Sequence, residues 1–283
     1  MNINNHKDRV ILAEETLKIC ETGAYINASG SKVSIGNELE HCLANTIHYR
    51  PQELSELTIH KTTDHTTRFE VTGETTLSAA ERLMQKYGDG KILALNFASA
   101  KNPGGGFLGG SVAQEESIAR SSGLYPSLLK APDYYSTHRN NADLLYTDNM
   151  VYSPSVPVFR NDDGKLLDQP YLLSIVTSPA TNKGALIQNN KPGVERIEEV
   201  MTVRTEKVLK LAVRHNYTRL ILGAWGCGVF RNDPTLIASI FIKHLCVGGK
   251  FENAFEHVVF AVYDRTKDQS VITPFKETFA GII

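Results

Sequence analysis

Two glycine-rich loops and a pair of glutamates are the residues of this chain best suited to chemistry. The first loop holds five glycines within residues 104–110, and the second runs from Gly223 to Gly228. Each loop follows a short apolar run that is typical of a buried strand. Glycine lets the backbone come close to a ligand, and free backbone N–H groups bind anions. Glycines in one loop alone could serve only as turns, but two such loops at strand ends favour phosphate binding.

Glu115 and Glu116 follow the first loop and begin a segment with helical composition. Adjacent carboxylates at a helix start are often only solvated side chains that the helix dipole favours. In an apolar or ligand-filled cleft, however, burial and mutual repulsion would raise the pKa of a carboxyl group, which could then act as an acid. The pair is therefore our candidate for acid–base catalysis.

Other kinds of site find little support in the sequence. Neither loop carries the GK[ST] of a P-loop, and GAWGCG has the wrong glycine order for a dinucleotide fingerprint. The nine histidines show no HxH or HExxH spacing, and the four cysteines show no CxxC spacing. Cys227 has no identifiable histidine partner, so we interpret it as a small residue between glycines. We expect no metal, no cofactor and no disulfide.

Length and charge narrow the class of protein. The chain has 283 residues and a formal net charge of −1, so no general attraction to nucleic acid or membrane is expected. Residues 1–9 are polar and no apolar run approaches the roughly 20 residues of a membrane span. We expect a cytoplasmic, monomeric protein with a sizeable core.

Strands and helices alternate along most of the chain. We predict a three-layer α/β/α sandwich with a mixed sheet over residues 61–283, preceded by a mainly helical extension over residues 1–60. Pro154 and Pro157 indicate an edge or irregular strand in 150–159, and 134–143 and 180–193 read as loops. The main predicted strands are Arg68–Val71, Ile92–Phe97, Tyr171–Thr177, Arg219–Leu222 and His257–Tyr263, and the main helices are Thr76–Tyr87, Val194–His215 and a third that Asp233 caps and that ends near Leu245.

The spacing of the first loop and the glutamates resembles a known signature. PGGGF at 103–107 is followed by QEE at 114–116, with seven residues between the third glycine and the glutamine. This pattern resembles that of poly(ADP-ribose) glycohydrolases, most closely the shorter bacterial and fungal type. NFASAKNPGGGF, VYSPSVPVFR, SPATNKG and LGAWGCGVFRNDP also look like blocks of that family, in the expected order. The resemblance implies a macrodomain fold, which agrees with the layers predicted above.

The resemblance also implies an activity and a role for each site residue. The activity is hydrolysis of the ribose–ribose O-glycosidic bond of poly(ADP-ribose), or of ADP-ribosylated protein, with release of ADP-ribose and without a metal. Glu116 would be the catalytic acid/base, Glu115 would hold ribose hydroxyls and Gln114 would support the loop. The residues implied to bind substrate are Ser99 (where macrodomains commonly carry asparagine), Gly105, Gly106, Phe107, Gly226, Cys227, Gly228, Val229 and Phe230.

Two other functions remain open at this stage. A macrodomain could read ADP-ribose without turnover, although two nearby carboxylates would not help it to bind a dianionic ligand. Alternatively, the chain could hydrolyse a different, mono-ADP-ribosyl linkage. The segment 125–149 and the N-terminal extension are expected to decide how much polymer beyond one ADP-ribose unit fits.

Overall fold

The computed structural model describes residues 3, 5–59, 65–88 and 91–282. Within these residues the helices are α1 (His6–Thr22), α2 (Gly36–Ala44), α3 (Pro51–Glu56), α4 (Thr76–Tyr87), α5 (Gln114–Ser121), α6 (Leu124–Leu128), α7 (Pro132–Asn140), α8 (Lys183–Gln188), α9 (Ile197–Arg214), α10 (Pro234–Leu245) and α11 (Ile272–Phe279). The strands are β1 (Ala24–Ile26), β2 (Lys32–Ser34), β3 (Ile47–Tyr49), β4 (Arg68–Thr72), β5 (Ile92–Phe97), β6 (Met150–Arg160), β7 (Leu166–Ser178), β8 (Arg219–Leu222) and β9 (His257–Ala261).

The central sheet has seven strands in the order β3-β6-β7-β5-β8-β9-β4. β3, β6 and β7 pair antiparallel, and all pairings from β7 to β4 are parallel. β5 lies in the middle of the sheet between β7 and β8, and its first five residues are buried. This explains its continuous apolar run. Because β5 and β8 are parallel neighbours, the loops that follow them meet at one edge of the sheet.

Helices cover both faces of this sheet, as the predicted α/β/α sandwich requires. One core lies beneath α4, α5, α6 and α7, and the other lies beneath α9, α10 and α11. Buried side chains of the first core include Leu77, Leu83, Ile118, Leu128 and Tyr134, and those of the second include Met201, Val208, Leu211, Phe241 and Phe275. The fold class is thus confirmed. Among the described helices, none is both long and apolar enough to cross a bilayer.

Side-chain caps mark the starts of α4 and α10. Thr75 accepts a hydrogen bond from the Ser78 amide at the start of α4, and Gly88 ends that helix in the left-handed conformation. Asp233 accepts from the Thr235 amide and Pro234 occupies the first turn of α10. The helix cap that the sequence predicts at Asp233 is thus confirmed.

Two local predictions were wrong. The polar segment 134–143 belongs largely to α7, whose buried tyrosines pack under the sheet, and 180–193 contains α8. The prediction of an edge or irregular strand at 150–159 is confirmed, because β6 is irregular, with a register shift between Ser153 and Val156. Within the described residues β3 pairs only with Met150, Val151 and Tyr152 of β6, so Pro154 and Pro157 lie beyond the stretch that β3 covers. The register shift accommodates them there.

The N-terminal segment packs directly on the rest of the chain. β3 extends the central sheet, and α1 packs on α5 and on the 3₁₀ turn at 107–109. The Thr16 hydroxyl of α1 donates to the Arg120 carbonyl of α5. The predicted boundary near residue 60 lies outside the described residues and stays a prediction.

Candidate active site

A cleft of about 980 Å³ lies where the chain leaves β5 and β8. Both glycine-rich loops contribute to its wall, the first through Gly105 and Gly106 and the second through Gly226 and Gly228. The Glu115 and Glu116 side chains line the same cleft. The fold therefore brings the second loop next to the first loop and the carboxylate pair, although more than 100 residues separate them in the sequence.

The first loop is shaped around the carboxylate of Glu116. Gly104 and Gly105 have φ angles of 68° and 60°, which residues with side chains rarely adopt. A Cβ on Gly105 would overlap Glu116 Oε1 and would lie 2.8 Å from its Cδ. The adjacent Gly106 amide donates to Glu116 Oε1 at 3.0 Å. Glycine at these positions lets the backbone hold the half-buried carboxylate in place.

Glu115 lies in a different environment, although it is the preceding residue. Its side chain is only 2% exposed. The Ser99 amide donates to its Oε2 at 2.6 Å and Asn96 Nδ2 donates to its Oε1 at 3.3 Å. Burial raises the pKa of Glu115 to about 8; these donors oppose that shift and the Glu116 charge adds to it. Glu115 therefore retains a proton over much of the neutral pH range.

Gln114 fastens the start of α5 to the end of β5. Its Oε1 accepts from the Phe97 amide at 2.7 Å, and its Nε2 donates to the Leu95 carbonyl at 2.7 Å and to Thr76 Oγ1 at 3.0 Å. All of its strong hydrogen-bonding groups are used in this way. Gln114 thus orients the helix turn from which both glutamates project.

The second loop offers backbone donors to the cleft. Gly226 has a φ of 75°, and a Cβ there would overlap Ala180 Cβ and Asn232 Nδ2. Asn232 anchors the loop, because its amide donates to the Gly226 carbonyl at 3.0 Å. Four backbone N–H groups of cleft-lining residues find no acceptor in the described part of the chain: those of Gly226, Gly228, Val229 and Phe230. Adjacent free N–H groups of this kind bind anions.

Two residues predicted to bind substrate do not line the cleft. Phe107 is fully buried and its ring packs 4.9 Å from that of Tyr125, because the 3₁₀ turn directs it inward against α1 and α5. The Cys227 amide already donates to the Ala224 carbonyl at 3.1 Å, so it is not a free donor. Burial also raises the pKa of its thiol, which argues against a nucleophile. The geometry therefore gives no support to a substrate contact by these two residues, and that role stays a prediction.

The structure adds cleft residues that the sequence analysis missed. Arg9 of α1 and Arg120 of α5 both line the cleft beside Glu116, and Tyr263 and Arg265 line it after β9. Arg120 follows Glu116 by four residues, so helical periodicity could have indicated it. No local sequence pattern indicates that Arg9 reaches the cleft, because its hydrogen-bond partner Gly110 lies 101 residues away in the sequence. Over the described residues, no group of three or more histidine, cysteine or acidic side chains is arranged to hold a metal ion.

Comparison with known proteins agrees with this architecture. The family model for the catalytic domain of microbial-type PARG, the poly(ADP-ribose) glycohydrolases, matches residues 13–161, just over half of the chain. A comparison with curated proteins gave no match.

Solved structures match over almost the whole chain. Poly(ADP-ribose) glycohydrolase from Thermomonospora curvata is 46% identical, with a TM-score of 0.93, and the match covers 96% of this chain and 100% of that one. The same enzyme bound to the inhibitor ADP-HPD matches with a TM-score of 0.90 at the same identity and coverage. The Deinococcus radiodurans enzyme in complex with ADP-ribose is 41% identical, with a TM-score of 0.81 over 87% of this chain and 98% of that one. These matches confirm the resemblance found in the sequence: the chain belongs to the microbial-type poly(ADP-ribose) glycohydrolase family.

Proposed function

We propose that this protein hydrolyses the ribose–ribose O-glycosidic bond of poly(ADP-ribose) and releases ADP-ribose, with Glu116 as the general acid/base. The observation that carries this assignment is the Glu116 carboxylate, held at 3.0 Å by the Gly106 amide in a cleft that it shares with four free backbone N–H groups. The free amides can donate hydrogen bonds to the oxygens of a pyrophosphate, and the carboxyl group can transfer a proton to the oxygen of a glycosidic bond.

The reaction needs one proton to move out and one to return. Glu116 gives its proton to the glycosidic oxygen as the bond from the anomeric carbon breaks, and the departing ribose leaves with a free hydroxyl. Positive charge develops on the ribose that stays, as in other glycoside hydrolyses. The Glu116 carboxylate then takes a proton from the water that attacks the anomeric carbon, which restores the starting state.

Glu115 supports this step through its environment. Because its pKa is raised to about 8, it is largely neutral below that pH and adds little negative charge next to Glu116. A buried carboxyl group can both donate to and accept from ribose hydroxyls. We propose that Glu115 holds the ribose in this way, with Asn96 and the Ser99 amide orienting it.

The second loop is the proposed pyrophosphate site. The amides of Gly226, Gly228, Val229 and Phe230 would donate to the phosphate oxygens, while the Phe230 side chain, which also lines the cleft, would border the adjoining ribose. The Val229 side chain is 80% exposed, so it is available to contact ligand at the cleft mouth.

We further propose that the substrate is a polymer, free or attached to protein, and that the chain acts in the cytoplasm as a monomer. The sequence composition and the formal net charge of −1 support the cytoplasmic location and the monomeric state. The molar mass of the purified protein, measured by light scattering, tests the monomeric state. Fractionation of the source cells tests the cytoplasmic location.

Glu116→Gln tests the catalytic assignment. The variant keeps the side-chain shape and an oxygen that can accept from Gly106, but it cannot donate and recover a proton in the same way. We expect ADP-ribose release from labelled polymer to fall by about 10²- to 10⁴-fold. Affinity for ADP-ribose, measured by calorimetry, should stay within a few-fold.

The exposed Glu14 provides a control, since Glu14→Gln removes a glutamate of α1 outside the cleft and should leave turnover unchanged. Unchanged turnover in Glu116→Gln would refute the role of Glu116. If the wild-type protein binds ADP-ribose but leaves polymer intact, it is a reader. Product analysis on polymer and on a mono-ADP-ribosylated protein then identifies the linkage that is cut.

A further inference from the structure

Two arginines line the cleft next to Glu116. Arg9 Nε donates to the Gly110 carbonyl at 2.6 Å, and Arg120 Nη1 donates to the Ser111 carbonyl at 3.2 Å. Arg9 Nη1 also donates to the Ile3 carbonyl at 3.0 Å. Both guanidinium groups thus lie at the end of the first loop, on the side where α1 packs. The four free amides of the second loop belong to the other wall, which follows β8.

Arg120 is a buried cation that forms no salt bridge within the described residues, although the charge of Glu116 acts on it. Its side chain is 1% exposed, yet it lines the cleft. Neither Arg9 nor Arg120 forms a salt bridge within the described residues, in contrast to the nearby Arg160, which pairs with Glu15 at 2.9 Å. Burial and the Arg9 charge lower the pKa of Arg120 to about 10 against the opposing effect of the Glu116 charge, so Arg120 remains charged at neutral pH. Buried charges are normally paired, so this pair of arginines is suited to an anion from solution.

The acidic groups around this region limit where an anion can lie. Asp162 and Asp163 also line the cleft, and Asp162 Oδ2 accepts from the hydroxyls of Thr75 and Ser78 at 2.5 and 2.7 Å. Together with Glu116 they repel an anion from their own side. An anionic group is therefore favoured close to Arg9 and Arg120 and disfavoured along the wall formed by α4.

The substrate chemistry supplies such an anion. Each repeating unit of an ADP-ribose polymer carries a pyrophosphate, so a cut between two units leaves one pyrophosphate on either side of the broken bond. The second loop accounts for one of them. We propose that Arg9 and Arg120 form a subsite for the pyrophosphate of the departing unit, an assignment that rests on the polymer hydrolase proposed above.

The test compares two substrates of the same enzyme. One is ADP-ribose polymer, and the other is ADP-ribose joined at the same anomeric carbon to a neutral aryl alcohol, whose leaving group has no phosphate. In Arg9→Ala we expect kcat/KM on the polymer to fall by about tenfold or more, because a charge-assisted contact is lost. On the aryl substrate it should stay within about a factor of two. Arg9→Lys keeps the charge and should recover part of the loss.

Lys18→Ala is the matched control, since it removes a positive charge from an exposed position of α1 outside the cleft. It should leave both substrates unaffected. An equal loss on both substrates in Arg9→Ala would mean that Arg9 only holds the glycine loop, and no loss on polymer would mean that it binds nothing; either result overturns the subsite. Failure of the polymer hydrolase itself would appear separately, as a wild-type protein that releases no ADP-ribose from polymer.

Discussion

Glu115 and Glu116 are neighbours in sequence that the helix separates in space. Successive residues of an α-helix point about 100° apart, so one carboxyl group enters the core and the other faces the first glycine loop. Glu115 receives the Ser99 amide at 2.6 Å, while Glu116 receives the Gly106 amide at 3.0 Å. Both carboxyl groups line the cleft, but burial keeps that of Glu115 largely neutral, whereas that of Glu116 is half-buried.

Gly105→Ala should strongly reduce turnover. The new methyl group would overlap the Glu116 carboxylate, and the φ of 60° is strained for alanine. We expect a loss of stability of about 1–3 kcal/mol and a fall in kcat on polymer of at least about tenfold, since the carboxylate must move. Thermal unfolding and steady-state kinetics measure the two effects.

Gly109→Ala is the control within the same loop. No atom lies within 4 Å of a Cβ at this position, and its φ is not in the left-handed region. Turnover should therefore be close to wild type. If the two variants behaved alike, close packing between Gly105 and Glu116 would not be what positions the carboxylate.

At the scale of elements, α5 is the part that carries the chemistry, and it is held at both ends. Its first residue, Gln114, bonds to β5 and α4, and near its last turn the Arg120 carbonyl accepts from Thr16 of α1. The helix is only eight residues long, too short to be stable by itself. Its position, and hence that of both glutamates, depends on these contacts.

Gln114→Ala should destabilise the protein and slow catalysis together. The mutation leaves the Leu95 carbonyl and the Phe97 amide at the end of β5 without their partner, at a cost of about 1–3 kcal/mol. Chemical denaturation measures this free energy, and kcat on polymer reports the shift of Glu116. Gln188→Ala, at the exposed end of α8, should change stability by less than about 0.5 kcal/mol. A Gln114 variant as stable as this control would contradict the anchoring role.

At the scale of the whole molecule, the parallel pairing of β5 with β8 assembles the site. Ile92 pairs with Arg219 and Ala94 with Ile221, so both strands end at the same edge. The loops after them then face a common cleft, as ligand sites of parallel sheets generally do. The same arrangement buries the carboxyl group of Glu115, which lowers the free energy of unfolding when that group is ionised. The stability of the fold therefore depends on pH.

The free energy of unfolding should therefore show the ionisation of Glu115. The folded pKa of about 8 lies above the ordinary value of 4.5, so the folded state binds the proton more tightly than the unfolded state does. The stabilising contribution of protonated Glu115 to the free energy of unfolding is fully present below pH 4.5 and is lost as pH rises through about 8. Glu115→Gln, which has no such proton, should become more stable relative to wild type over that window. Denaturation curves from pH 4.5 to 9 measure the difference; a constant difference would contradict the raised pKa.

The sequence by itself determined much of the local structure. Apolar runs predicted β5 and β8, and the Asp233-Pro234 pair predicted the start of α10, because strand burial and helix capping depend on adjacent residues. The spacing of GGG and QEE also identified the family, since both halves of the signature belong to one loop and the helix that follows it.

Only the tertiary structure decided which side chains reach the cleft. Phe107 stands within the signature but turns into the core, whereas Arg9, about 100 residues away from the loop that it contacts, lines the cleft. The polar segment of α7 became helical because its tyrosines found a buried surface under the sheet. In each case the position of the side chain depends on packing between segments that are distant in the sequence. Local residue patterns do not contain this packing energy, so they could not predict the result.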